Sequence, residues 1–409
     1  MEKLLYLVHR IPFPPNKGDK IRSFHWLKGL ARQYEIYLGC FVDEPEDMQY
    51  IEQLKPYCAD VYIEQMNTRL AKLKSAKGLL SNSPLTLSYY YSKKMQHWVE
   101  QVVHVNAVEK CLIFSSSMAQ YVEGDHLLDM TRVIDFVDMD SDKWLQYATN
   151  KSWPMSYVYA REGRLLGKYE QKVSKEFDCS LFVSSAEAES FSGKLNDTSV
   201  DIGFVNNGVD ADYFSPQHEL KSPYAEGVRP IVFTGAMDYW ANVDAVVWFV
   251  KEVLPSIKAS DQKFEFFIVG SKPTVEVQSL DSPGIVTVTG RVADVRPYIA
   301  YAEFSVAPMR IARGIQNKVL EAMAMAKPVI TSSLGFEGIK ARVDEELFVA
   351  DTVEQFLAVL EVLGRDRNTG SSIGQAARRR VMADYSWSSN IQKLDSILSG
   401  HKAQQEMKI

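Results

Sequence analysis

The chain has 409 residues and a formal net charge of −6; that length allows about two or three domains with sizeable cores, and the acidic balance argues against a general nucleic-acid binder. Its four cysteines, Cys40, Cys58, Cys111 and Cys179, are scattered with neither CxxC nor Cys/His metal spacing, which predicts buried thiols in a reducing compartment. No apolar run approaches the ~20 residues that span a bilayer, and the run 4–8 is too short for a signal-peptide core, so a cytoplasmic protein is expected.

The first apolar run, 3–9, reads as a buried strand that passes through the Pro-rich IPFPPNKGDK into a helix from about Ile21. Gly18 stands where the chain turns into that helix, and a glycine there is most simply a turn residue. Residues 35–42 (EIYLGCFV) form a second strand, 48–55 a helix and 60–63 a third strand, an alternation that predicts a parallel, doubly wound sheet. Over 65–99 there is no Asp or Glu, while Arg69, Lys72, Lys74, Lys77, Lys93 and Lys94 are interleaved with leucines and with Tyr89 to Tyr91. Peripheral contact with an anionic membrane is one reading of this basic patch; a solvated helix and loop is the other.

Residues 111–115 and 132–137 are further strands, and the second runs into DMDSDKW, with Asp138, Asp140 and Asp142 at alternate positions. A calcium loop fails, because Lys143 stands where the loop needs Gly and Thr149 where it needs Glu. An Asp-x-Asp motif holding manganese and diphosphate stays open, although a helix N-terminus loaded with carboxylates accounts more simply for Asp140 and Asp142. Asp138 differs, since it stands at the tip of a central strand, where Rossmann-like sheets put their ligands. In the long charged helix 157–173, Leu165, Leu166 and Tyr169 turn inward, which leaves Arg161, Glu162 and Glu170 on the solvated face. Residues 179–184 close the first sheet, 201–205 lead into NNGVDADYFSP, and 211–228, polar from Gln217 on, is the linker.

The alternation restarts with the strand 230–234, a turn at Gly235, a helix over 242–253 and strands over 264–269 and 285–289 that end at Gly270 and Gly290. A glycine at a strand tip lets backbone approach a ligand, so Gly235, Arg291 and Val292 are expected to line one crevice with the stretch that follows. That stretch, 305–333, reads as strand, basic loop, helix and strand, with Val319, Leu320, Met323 and Ala324 on one helix face and Pro328 ending the helix. The first-turn N–H groups and the dipole favour an anion there. Arg310, Arg313 and Lys318, with Gly314 and Asn317 between them, suit a diphosphate better than a single carboxylate. Glu321 would repel that diphosphate unless it has hydroxyl partners, which a nucleotide ribose supplies; otherwise it pairs with Lys318 at i,i+3.

Taken in order, PFPPNKGDKIRSFHWL, VIDFVDMDSDKW, the NGVD stretch, FTGAMDYWANVDAVVWF and RIARGIQNKVLEAMAMAKPV resemble the family-4 retaining glycosyltransferases of the GT-B fold over nearly the whole chain. Within that family they look like the subgroup associated with bacterial exopolysaccharide and exosortase (PEP-CTERM) gene systems. The family signature carries two glutamates; here the second is Glu321, in LEAMA, and the first falls at Arg313, a departure beside the donor sugar. The resemblance implies an α/β GT-B fold, two Rossmann-like doubly wound parallel-sheet domains facing each other across a cleft. They comprise an acceptor-side domain over 1–210 and a nucleotide-sugar-binding domain over 229–385, with a last helix, 386–400, crossing back.

It also implies transfer of a sugar from a nucleoside diphosphate-sugar donor to a glycan or lipid-linked acceptor, with retention, in exopolysaccharide or cell-surface glycan synthesis. Gly18, Gly235, Arg291, Val292, Arg310, Arg313, Gly314, Asn317, Lys318 and Glu321 would bind the donor, and Arg310 and Lys318 would stabilise the leaving diphosphate. Asp138 is the candidate contact for the acceptor hydroxyl. No metal or other cofactor is expected, because the cations already neutralise the diphosphate. If the acceptor is lipid-linked, the basic patch would hold the enzyme at the inner face of the plasma membrane. Two other readings stay open: a GT-B nucleotide-sugar epimerase, which would consume donor without an acceptor, and a non-catalytic nucleotide-sugar-binding partner of a polysaccharide synthase complex.

Overall fold

The structure is a computed structural model that describes residues 1–15, 18–80, 82–124, 130–149, 151–195, 197–259, 264–312, 314–365 and 367–400; Asn16, Lys17 and Arg313 lie outside the described residues. The chain divides into two compact units, 1–206 with the segment from 390 on, and 207–389. Residues 211–228, read from the sequence as a linker, thus fall inside the second unit, where Tyr224 packs on Phe267 at 4.6 Å and donates to the Tyr298 carbonyl at 2.6 Å.

The first unit is built on a seven-stranded sheet in the order β3-β2-β1-β4-β5-β6-β7. Its strands are β1 (Glu2–Val8), β2 (Tyr34–Val42), β3 (Asp60–Gln65), β4 (Lys110–Phe114), β5 (Thr131–Val137), β6 (Cys179–Phe182) and β7 (Ile202–Phe204), every neighbouring pair parallel. Central strands buried on both faces need unbroken apolar runs, and Leu4 to Leu7 are fully buried. The sheet closes one strand later than the sequence suggests. The stretch Ile202–Phe204 is too short to show a period, yet it pairs along Ser180 to Phe182. All four cysteines are free thiols, three of them buried in strands.

The helix Gly18–Leu30 buries charge as well as apolar surface. Arg22 grips Asp135 with two bonds, at 2.7 and 3.1 Å, and donates to the Val205 carbonyl at 2.7 Å, while the Trp26 indole donates to the same carboxylate at 2.9 Å. An unmatched charge at that depth would cost several kcal/mol; here each is matched.

A second buried set corrects the reading of the long helix, which spans Met155–Glu176. Arg161, Glu162 and Glu170 are buried rather than solvated, at 8%, 1% and 1% exposure. Each closes the end of a neighbouring segment. Glu162 accepts from Leu85 N at 2.7 Å and from Thr86 N and Oγ1 at 2.9 and 2.7 Å, capping the helix Leu85–Tyr89. Glu170 does the same for Asp140–Thr149, accepting from Ser141 N and Oγ at 3.1 and 2.5 Å, and Arg161 donates to Gly78 O at 2.9 Å. Burial pushes the Glu170 carboxyl up to about 8.

The second unit has a six-stranded sheet in the order β10-β9-β8-β11-β12-β13. Its strands are β8 (Arg229–Thr234), β9 (Phe264–Val269), β10 (Val286–Gly290), β11 (Phe304–Ala307), β12 (Val329–Thr331) and β13 (Phe348–Val349). The single helix expected over 242–253 is interrupted: Trp240–Trp248 passes through a π-helical turn, Phe249–Val253, into Leu254–Ala259. That turn seats Phe249 against Phe266 at 4.6 Å.

In both sheets the first strand is central and the order reverses beside it, between β1 and β4 in one unit and between β8 and β11 in the other. A crevice at the carboxyl ends of the strands is the topological consequence, and ligands of open α/β sheets bind there.

Candidate functional site

In the second unit the strand tips are knit by backbone. Gly235 N donates to Val269 O at 3.0 Å and Gly270 N to Gly290 O at 3.2 Å, joining the tips of β8, β9 and β10. A Cβ on Gly270 would lie 1.6 Å from the Gly235 carbonyl oxygen, and one on Gly235 would lie 2.7 Å from Asn242 Nδ2. No side chain fits at either place, so peptide groups themselves floor this side of the crevice.

The helix Asn317–Ala324 opens on the far side, after β11. Its buried stripe, Val319, Leu320, Met323 and Ala324, anchors it in the core and turns Lys318 and Glu321 towards the strand tips. Lys318 Nζ donates to Asn242 Oδ1 at 2.9 Å and lies 5.1 Å from the centroid of the Phe233 ring. Burial lowers the Lys318 ammonium to about 8 despite the nearby Glu321 carboxylate. Burial likewise raises Glu321 to about 7 against the pull of Lys318. Among the described residues no direct ion pair joins the two and none hydrogen-bonds the Glu321 carboxylate, which removes the simple i,i+3 pair as an explanation of this glutamate. Two ionisable groups brought this close to neutral pH can gain or shed charge when a ligand arrives.

The remaining expected residues are arranged around this pair with different degrees of order. Arg310 is half exposed, its Nε 3.7 Å from Asp244 Oδ2 on the helix Trp240–Trp248. Gly314 holds φ at +65° and Gly290 at +66°, both in the left-handed region. Arg291 is exposed just beyond Gly290, whereas the Val292 side chain packs against the layer formed by Val232, Phe267, Val269 and Ala302. Arg313 lies outside the described residues. Sequence pattern does not single out Asn242 or Asp244. Their only signal is a polar pair in the otherwise apolar WANVDAVVWF, which looks like an ordinary helix opening.

In the first unit Gly18 begins its helix with open space where a Cβ would be, and Asn16 and Lys17 lie outside the described residues. The tip of β1 carries a cluster that sequence reasoning missed. Arg10 bridges Asp19 at 3.0 Å and Asp43 at 2.8 Å, and His9 Nε2 lies 3.7 Å from Asp19. The His9 ring stacks on Phe114 at 5.9 Å, its buried Nδ1 has no hydrogen-bond partner among the described residues, and burial holds its ionisation below the usual histidine range. At the tip of β5, Asp138 is paired with Lys143 at 2.9 Å, and the same ammonium reaches Asp140 at 3.2 Å. Asp140 and Asp142 stand in the first turn of the helix Asp140–Thr149, and Asp142 pairs with Lys194 at 2.5 Å.

Comparison with known proteins shows what the chain is similar to. Residues 229–366, which take in all six strands of the second sheet, match the family model described as Glycosyl transferases group 1. Over 253 residues the chain is 26% identical to the GDP-mannose-dependent alpha-(1-6)-phosphatidylinositol monomannoside mannosyltransferase of Mycobacterium tuberculosis; the match takes in 57% of this chain and spans 64% of that relative, just under two thirds of its length. Sucrose-phosphate synthase from Thermosynechococcus elongatus is similar in structure with a TM-score of 0.66 at 16% identity, over 97% of this chain and 98% of that one. Anabaena HepE in complex with UDP gives the same TM-score of 0.66 at 13% identity, over 98% and 100% of the two chains. At these identities the likeness establishes the fold, the GT-B fold that the motif order implies.

Proposed function

We propose that the chain is a glycosyltransferase that moves a sugar from a nucleoside diphosphate-sugar to a glycan or lipid-linked acceptor, with retention, in exopolysaccharide or cell-surface glycan synthesis. The observation that carries this reading is the half-buried Lys318 ammonium, lowered to about 8 at the opening of the helix Asn317–Ala324 and at the switch point of its sheet. A diphosphate placed there would meet Lys318, Arg310 and the free N–H groups of the helix, all on the side where negative charge builds as the glycosidic bond breaks. Glu321, whose carboxylate has no hydrogen bond among the described residues, would accept from the ribose hydroxyls, and the backbone beyond Gly290 would lie along the base.

In this reading the bond between the anomeric carbon and the phosphate oxygen breaks with its electron pair going to the diphosphate. The acceptor oxygen bonds to that carbon from the same face, and its proton passes to the departing phosphate oxygen. Asp138, fixed by Lys143, is the candidate contact for the acceptor hydroxyl. Because the cations already offset the diphosphate charge, no divalent ion is required. Support for the substrate classes comes from the relatives: HepE is described with UDP, and the mycobacterial enzyme is named for GDP-mannose and a phosphatidylinositol mannoside. The motif order supports the PEP-CTERM-associated subgroup, and the basic segment around Lys72 supports peripheral association with an anionic inner membrane face.

The test is calorimetry of UDP, GDP and the corresponding nucleosides on wild type, Lys318→Ala and Glu321→Gln. Lys318→Ala is expected to weaken the diphosphates far more than the nucleosides, and Glu321→Gln to cost about 1–3 kcal/mol for both. Wild-type affinity in both variants would remove the site from consideration. Transfer of sugar to a lipid extract should continue in EDTA.

A further inference from the structure

A cavity of about 960 Å³ opens elsewhere in the second unit, lined by residues just ahead of β11 and β12 and by one face of the helix Arg367–Asp384. It is not the crevice described above. Lys318 begins the helix Asn317–Ala324, whereas Met325, Ala326 and Lys327 beyond its other end line the cavity, so roughly 9 Å of helix at 1.5 Å per residue separates the two.

The helix Arg367–Asp384 contributes Ser371, Gln375, Arg378, Arg379 and Met382, a stripe at helical spacing. It can lie this close because of Gly374, where a Cβ would fall 2.0 Å from the Ala326 carbonyl oxygen. That approach sets the stripe over Lys327.

Among the described residues the lining contains two arginines, a lysine and a histidine, and no Asp or Glu. Arg378 is fixed by neutral groups: its guanidinium donates to the carbonyls of Ala211, Phe214 and Ala324 and to Ser215 Oγ, the Phe214 bond at 3.0 Å and the Ser215 bond at 3.3 Å. Carbonyl dipoles orient that charge without cancelling it, and burial outweighs the pull of the Asp212 carboxylate, which is outside the lining. Lys327 is half-buried and, among the described residues, has neither a hydrogen bond nor an ion pair; burial pushes its ammonium below the usual lysine range. Arg379 is exposed at the rim, again with no ion pair among the described residues. A desolvated cation left without a counter-charge is costly, and a dianion in the cavity would relieve it. Tyr301 and Met382, 44% and 45% exposed, add apolar surface beside these charges. The volume falls in the range of small-molecule sites.

We propose that this cavity binds a small phosphate-bearing metabolite, a phosphomonoester whose dianion is held by Lys327 and Arg379 over the fixed charge of Arg378, with its organic body against Tyr301 and Met382. The site is independent of the donor site.

Calorimetry of the full chain with ribose 5-phosphate and with inorganic phosphate tests it on wild type, Lys318→Ala, the double variant Lys327→Gln/Arg379→Gln and the charge-keeping Lys327→Arg. Ribose 5-phosphate should bind wild type, Lys318→Ala and Lys327→Arg alike and the double variant at least about tenfold more weakly, with circular dichroism showing the double variant folded. Inorganic phosphate should follow the same pattern at lower affinity; equal affinity of the two probes would overturn the part assigned to Tyr301 and Met382. No binding to wild type at millimolar concentration, or binding lost in Lys318→Ala and kept in the double variant, would overturn the site itself.

Discussion

Lys318 and Glu321 show what burial does to a charge and how a ligand would answer it. The lysine is lowered to about 8, so between that value and the ordinary lysine range the unfolded chain binds more protons and stability rises with pH. The glutamate is raised to about 7, so between the ordinary carboxylate range and that value the folded chain binds more protons and stability falls as pH rises. A diphosphate beside Lys318 would restore the proton that burial weakens. Calorimetry of UDP or GDP at about pH 8 in buffers of different ionisation heat should therefore record proton uptake on binding, and Lys318→Arg, whose charge does not titrate there, should bind without it. Uptake that is absent in wild type, or unchanged in the arginine variant, would assign the proton to another group. Sequence pattern singles out both residues, since a basic loop opening a helix is visible in one dimension. It did not locate Asn242, which holds the lysine, because a single asparagine at the start of an apolar helix has the same appearance whether or not it touches a neighbour. Arg161, Glu162 and Glu170 failed for the opposite reason: charge spacing marks a helix face but not the helix ends that cover it.

At the scale of elements, strands were easier to read than helices. A strand buried on both faces needs an unbroken apolar run, and EIYLGCFV or FEFFIV cannot be much else. The three-residue β7 carries too few positions to show a period, and the π-helical turn after Trp248 shifts the register of a helix whose residues are apolar almost all round. Glycines at strand tips were legible as such, although the reason for Gly270 lies in a carbonyl contributed by another loop. Gly270→Ala should force the Gly235 peptide to move, costing about 1–3 kcal/mol in a denaturant titration and weakening nucleoside diphosphate binding. Gly193→Ala, in the helix Ser185–Leu195 with open space around its Cβ position, should instead stabilise by about 0.4–1 kcal/mol. Equal effects of the two substitutions would contradict the close approach at the strand tips.

For the molecule as a whole, the restart of strand and helix alternation at 230 revealed two sheets of like order. The division between residues 206 and 207 is not legible in the sequence, because the polar stretch that reads as a connector is held by residues distant in the chain: Arg378 donates to Phe214 O and Ser215 Oγ, Tyr301 donates to Leu220 O, and Tyr224 packs on Phe267. The uneven charge distribution also belongs to this scale. On a chain of net charge −6, Arg69, Lys72, Lys74, Lys93 and Lys94 are exposed beside Leu70 and Leu73, at 54% and 67% exposure, and the helix bearing the exposed Tyr157 is tied to this segment through Arg161. Among the described residues no helix is long and apolar enough to cross a membrane; in the peripheral association proposed above, each engaged cation would contribute about 1 kcal/mol. Sedimentation with anionic liposomes should be strong at low salt, weak at high salt, and lost when Arg69, Lys72 and Lys74 are replaced by Glu; binding indifferent to those replacements would rule this segment out. The sheets themselves have a further consequence at high protein concentration. Each outer strand of the two sheets is blocked or brief: β7 and β13 have three and two residues, β3 carries Asp60 and Glu64, pinned by Trp98 and Ser92 at 3.0 and 2.6 Å, and on β10 the N–H of Val288 is taken by Asp281 at 2.8 Å. Among the described residues an approaching copy meets only outer strands that are short, charge-bearing or interrupted, which guards a protein with two large parallel sheets against edge-to-edge polymerisation.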